Sequence, residues 1–126
     1  MVDILVLVKR IGNLFIEAED LTNQLAEAVD RRDEVSINIA TGMRSEPISR
    51  LVEADRALRE HLANLGDDAD GVRIRAILNG DSAAAQGETE KLLADQSAQN
   101  IRNYNRLMEK DKIVNQKITR DKSIYQ

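Results

Sequence analysis

The side chains that could do chemistry in this chain are few, and their spacing is poor. His61 is the single histidine. It follows Glu60 directly, with no Glu-x-x-His spacing and no second imidazole to share a metal, and reads as a helix surface residue. The run Asp67-Asp68-Ala69-Asp70-Gly71 places Asp68, Asp70 and Gly71 like the middle of a calcium loop. Its first ligand position would be Gly66 and its bidentate glutamate position Ile77, so both strong ligands are missing. The run is read as an acidic cap leading into a short helix. Asn79-Gly80-Asp81-Ser82 has no lysine and follows no strand pattern, so it is not a phosphate loop. Glu17, Glu19, Asp20, Glu27 and Asp30 track a polar helix face and read as solvated charge. The chain has no cysteine, which excludes a thiolate nucleophile, a disulfide framework and a cysteine zinc site. The expectation is a protein that is not an enzyme and holds no metal or cofactor.

The elements that carry these residues are long helices. The 126 residues make one domain, 1–126, with 42% hydrophobic, 32% charged and only 2% aromatic residues. That profile suits solvated helices on a narrow apolar seam rather than a thick core. A net charge of −4 gives no electrostatic reason to bind nucleic acid or an anionic membrane. The apolar start, Val2 to Val8, has no basic residues before it and contains Asp3. It is also far short of the ~20 residues that cross a bilayer, so it reads as helix rather than as a signal or anchor. A cytoplasmic location is expected.

From Ile4 an apolar 3-4 spacing runs through Leu7, Ile11, Leu14, Ala18, Leu21, Leu25 and Ala28, and continues in phase through Arg32, Val35 and Ile39. It predicts a first helix over about 2–40. Gly42 then suits a C-cap, Ser45 an N-cap and Pro47 a first helical turn. A second helix is thus predicted over about 45–65, with the seam Ile48, Leu51, Asp55, Leu58, Leu62 and Leu65. Folded as an antiparallel hairpin, the two seams pair in layers whose residue numbers add to 86 or 87, from Ile39 with Ile48 to Leu21 with Leu65. One such layer joins Arg32 to Asp55, the only charged seam residues in this region. They are expected to form a structural ion pair that fixes the register.

A short helix, about 70–78, brings Val72, Ile74, Ile77 and Leu78 as a cover for the surplus apolar surface at the start of the first helix. A third long helix is predicted over about 83–122. The fold class is therefore all-α: an elongated antiparallel helical bundle or coiled coil of three long helices and one short one. The last helix has the most polar seam, with apolar residues beside it as well as on it. Its apolar flank is the expected partner surface, used through Tyr104, Leu107, Met108, Val114 and Ile118.

On these residues the chain resembles the FlgN/FliT type of flagellar export chaperone. The likeness is carried by the long first helix with the segment Leu25–Val35, by the antiparallel second helix with Glu53–Leu58, and by the long last helix with Asn105–Val114 and Asp121–Tyr125. It does not extend to the acidic stretch 67–71 or to the short helix after it. The resemblance implies a role in bacterial flagellum biogenesis and its type III secretion. The protein would bind the amphipathic helical segment of a late flagellar subunit, a filament-junction or cap protein, prevent its premature assembly, and deliver it to the export apparatus. In that family the last helix makes much of the partner contact. The alternative is a structural or adaptor coiled coil that homodimerises through Val2, Leu5 and Val6.

Overall fold

The computed structural model describes residues 2–125, with side chains described for 3–120. It contains four α-helices, α1 Val2–Arg31, α2 Glu34–Ala63, α3 Ala69–Leu78 and α4 Gly87–Tyr125, with one 3₁₀ turn at Ser82–Ala84. No strand occurs among the described residues. The all-α bundle expected from the apolar spacing is present. Its hairpin is elsewhere.

The chain reverses at Arg32 and Asp33, not at 41–44. Arg32 has φ 56, in the left-handed region that a residue with a Cβ enters at a cost. Its N–H bonds to the Val29 carbonyl at 3.0 Å, and the Asp33 N–H bonds to the Ala28 carbonyl at 3.0 Å. This crossed pair is a Schellman ending of α1, built on arginine where glycine is usual. Asp33 then caps α2. Its carboxylate accepts from the Ser36 N–H at 3.2 Å and from the Ser36 hydroxyl at 2.6 Å. The helix that follows continues straight through Gly42 and Pro47 to Ala63.

The predicted register fails with the turn. Asp55 lies about six helical turns from Arg32, on the order of 33 Å along α2 at 1.5 Å per residue. It pairs instead with Arg59 one turn away, at 2.9 Å, and both are exposed. The two-residue turn let the 3-4 phase of α1 continue by coincidence into the outer face of α2, where Val35 and Ile39 are exposed. The seam that α2 turns inward is Ile37, Ala40, Arg44, Pro47, Leu51, Ala54 and Leu58, again at alternating three and four. It is hard to see because two of its members are an arginine and a proline. Pro47 is fully buried. Gly42 is now a helix-interior residue, and a Cβ built on it meets nothing within 4 Å. Gly42→Ala should therefore raise stability by roughly 0.5–1 kcal/mol in urea denaturation. A glycine serving as a helix C-cap would instead show a loss.

α1 is the spine. Its inward residues Ile4, Leu7, Val8, Ile11, Leu14, Ala18, Leu21, Leu25, Ala28 and Val29 are all buried. α2 packs antiparallel along one side of it, with Leu25 and Val29 meeting Ala40, and Ile11 and Leu14 meeting Ala54. α4 packs parallel to α1 along another side. Asn100 donates to the Val8 carbonyl at 2.9 Å, Arg106 and Lys110 bind Glu19, and Lys117 binds Asp30 at 2.8 Å. Those contacts advance together along both helices, which fixes the parallel sense. At Gly12 the side-chain amides of Gln96 and Asn100 lie over the α1 backbone, where an added Cβ would require them to shift.

The lower end of the bundle is closed by α3, as the apolar surplus of α1 required. Ile74 and Ile77 pack with Ile4, Val8, Leu93 and Ala94, and with Leu5, Leu58, Leu62 and Leu65 at the edge. Asp68 is the N-cap of α3, accepting from the Gly71 N–H at 2.9 Å, which is the role its loop plays here. Arg75 reaches back to the carbonyls of Leu62 and Gly66 at 2.8 and 3.0 Å, tying α3 to the end of α2 and the loop after it. α4 begins at Gly87, whose φ of 78 makes the corner, rather than at 83.

Candidate helix-binding surface

A polar layer crosses the middle of the bundle and defines which helix flanks face one another. The Thr22 hydroxyl donates to the Ala18 carbonyl at 2.7 Å and is fully buried. Arg44 of α2 donates to that hydroxyl at 3.4 Å and forms an ion pair with Asp111 of α4. Asn115 supports the same carboxylate at 3.4 Å. Three helices thus meet at one largely buried guanidinium. The ion pair expected between Arg32 and Asp55 is not formed, Asp55 pairing with Arg59, and the interhelical pair that is present, Arg44–Asp111, is one the sequence reading does not anticipate.

From this bridge the flanks can be followed outward. On α2, Ile48, Val52, Asp55 and Arg59 lie at the helical spacing that keeps them on the same side as Arg44. On α4, Met108, Tyr104 and Ile101 lie likewise on the side of Asp111. Because α2 and α4 run in opposite senses, Ile48 stands level with Met108, Leu51 with Tyr104 and Ala54 with Ile101. The two helices pack on α1 but make no extended contact with each other. Their apolar flanks are left open: Ile48 is 39% exposed, Val52 56%, Tyr104 48% and Met108 43%. Phe15 of α1 forms the floor, edge-on to Tyr104 with ring centroids 6.0 Å apart. Beyond Met108, α4 lines an open concavity with Asp111, Lys112, Asn115, Gln116, Thr119 and Arg120.

The five residues expected to bind a partner therefore divide. Tyr104 and Met108 are exposed on the open flank. Leu107 and Val114 are core residues facing α1, with Val114 only 1% exposed, and Ile118 packs on the cluster of Leu25, Val29 and Ala40. In this fold Leu107 and Val114 hold α4 against α1 and present no surface, and Ile118 is only partly exposed. On α2, Ile48 and Val52 are exposed, whereas the sequence reading places Ile48 on the buried seam. Of the proposed dimer contacts, Leu5 packs against the α3 cluster, Val6 is exposed, and the Val2 side chain lies outside the described residues.

The α1–α4 joint combines apolar contacts with charged pairs along its edge. Glu19 has only 13% of its side chain exposed and receives both Arg106 and Lys110. Burial alone would raise its pKa. The hydrogen bonds and charges of the two cations outweigh that and hold the carboxyl below the ordinary glutamate range. Glu90 is likewise held low by Arg73 of α3, at 2.7 Å, against a smaller upward push from burial. Asp33 is held low by the Ser36 hydrogen bonds. A carboxyl depressed in the folded state contributes stability above its unfolded pKa and loses it as pH falls through the folded value. The urea midpoint should therefore fall as the pH drops below about 4.5, the ordinary glutamate value. Glu19→Gln should show a smaller fall between pH 7 and pH 3 than the parent chain, and an identical fall would remove Glu19 from this account.

His61 is exposed in the last turn of α2. Among the described residues no group of three or more His, Cys, Asp or Glu side chains is placed to hold a metal ion, and no helix is long and apolar enough to cross a membrane. Compared with protein-family models, with curated proteins and with solved structures, the chain matches none of them.

Proposed function

We propose that the chain is a helix-binding protein that shields the apolar face of a partner's amphipathic segment. In the fuller form suggested by its likeness to FlgN/FliT-type chaperones, it is a cytoplasmic flagellar export chaperone. Its client is the helical segment of a filament-junction or cap protein, kept from premature assembly before delivery to the export apparatus. It carries out no reaction of its own. The observation that supports this reading is the open trough between α2 and α4. A shared spine holds two apolar helix flanks at matched heights and leaves them uncovered, and an added helix would complete a four-helix arrangement there. The working partner surface is therefore Ile48, Val52, Ile101, Tyr104 and Met108.

The test is co-purification from flagellated cells of the parent chain and of an Ile48→Asp/Met108→Asp variant. The parent should retain a filament-junction or cap subunit, and the variant should lose it while keeping its helical circular dichroism. A parent that retains no flagellar subunit sinks the chaperone reading; equal retention by both chains moves the contact away from the trough. The second reading, a homodimeric adaptor, is favoured by another exposed stripe, Val35, Ile39 and Met43 on the outer side of α2. Sedimentation at micromolar concentration separates the two: monomer for the chaperone, tight dimer for the adaptor.

A further inference from the structure

We infer that the face of α2 turned away from α4 receives a second copy of this chain, packed antiparallel about a two-fold axis level with residue 48. The inference rests on the homodimer reading above and supplies its geometry. The trough lies on the other side of α2 and stays open in both copies.

Besides the seam buried on α1, α2 carries a second line at alternating four- and three-residue spacing: Ile39, Met43, Glu46, Arg50, Glu53 and Ala57. Its two ends differ. The first is bulky and apolar, with Ile39 57% and Met43 54% exposed and Val35 one turn earlier at 69%. The last is small, and there the line borders a cleft of about 400 Å³ between α1 and α2. Leu7, Leu14, Ala54 and Ala57 give that cleft its apolar lining. Arg10, Arg50 and Glu53 complete it.

Reversed on itself, the line is its own complement. Antiparallel layers whose residue numbers add to 96 set Ile39 against Ala57 of the second copy, Met43 against Glu53, and Glu46 against Arg50. Glu60, the next residue of the line, falls opposite Ser36. Each copy's bulky end thus meets the other's small-residue cleft, and two Glu46–Arg50 contacts flank the axis. Within one helix Glu46 and Arg50 already pair at 2.6 Å, with 67% and 59% of their side chains exposed. Both therefore keep hydrogen-bonding capacity for a second partner. The charges of the line and cleft are Arg10 and Arg50 against Glu46 and Glu53. That balance selects no strongly charged partner, whereas a two-fold contact makes each of these complementary layers twice.

The test uses the full chain, which has no cysteine of its own. A short bismaleimide should join Ile39→Cys/Ala57→Cys into a covalent dimer. Neither single variant should be joined, because like positions on the two copies lie on the order of 27 Å apart along the antiparallel pair. In sedimentation over a concentration series from micromolar upward, Ile39→Asp should weaken the dimer by about tenfold or more. Glu46→Arg should weaken it too, and Glu46→Arg/Arg50→Glu should restore it, with helical circular dichroism unchanged throughout. A chain that stays monomeric across the series would overturn the homodimer reading and this contact together. A dimer that Ile39→Asp leaves intact, with no cross-link in the 39/57 variant, would overturn this contact alone. A dimer lost only in Ile48→Asp/Met108→Asp would move the interface to the trough and also overturn the proposal.

Discussion

Leu93→Ala lowers the unfolding free energy by about 2–5 kcal/mol, the range for deleting a well-packed leucine from a core. Leu93 is completely buried where three helices converge, against Ile4 and Val8 of α1 and Ile74 and Ile77 of α3. The cavity left there cannot be filled by one helix moving, because α1, α3 and α4 each constrain it. The adjacent Leu92 is 52% exposed and is the internal control. Leu92→Ala should change stability by less than about 0.5 kcal/mol. Urea denaturation of the two variants checks both values. Equal losses would mean that α4 is rotated from the orientation described.

Removing one partner of the Arg44–Asp111 bridge has the second large effect. Both side chains are more than two-thirds buried, and Arg44 also serves the buried Thr22 hydroxyl. Asp111→Leu leaves a largely buried guanidinium with no carboxylate, and Arg44→Met leaves the converse. Each should cost about 1–3 kcal/mol. Arg44→Met combined with Asp111→Leu should recover most of that loss, because a matched apolar pair removes the desolvated charge altogether. A double-mutant cycle by urea denaturation reads the coupling. Additive single losses would show that the two side chains do not act on each other.

Why the sequence disclosed the helices but misplaced their junction is a question of two residues. The apolar spacing of α1, the Asp68 cap and the cover formed by Ile74 and Ile77 were all legible, because each depends on local pattern or on an apolar surplus. The reversal was not, because Arg32 adopts a left-handed backbone without the glycine that normally announces it. Gly42, Ser45 and Pro47 meanwhile imitate a turn inside a continuous helix. Packing of α2 against α1 overrode those signals: Pro47 is fully buried on the seam, and Ser45 hydrogen-bonds the Gly42 carbonyl at 2.7 Å. One clue was available. Asp33 followed three residues later by Ser36, immediately after two arginines, is a cap signal beside a basic helix end.

The proposed partner surface suffered from the same misplacement. The polar seam of α4 points to its apolar flank as the partner surface. In the fold, Ser97, Asn100 and Asn103 lie in the α1 joint, with Leu107, Val114 and Ile118 beside them. The residues left over for a partner are those one step around the helix. Ile48 could be recognised as their counterpart only once Arg44 had been placed across from Asp111.

The distance between residues 32 and 55 tests the architecture most directly, since every later inference depends on where α1 turns back. The chain has no cysteine, so spin labels can be attached at Arg32→Cys and Asp55→Cys without background. Pulsed dipolar spectroscopy should return a separation on the order of 30–35 Å, the run of α2 from the turn to that position. A separation under about 15 Å would restore the hairpin at 41–44, and the trough between α2 and α4 would not exist.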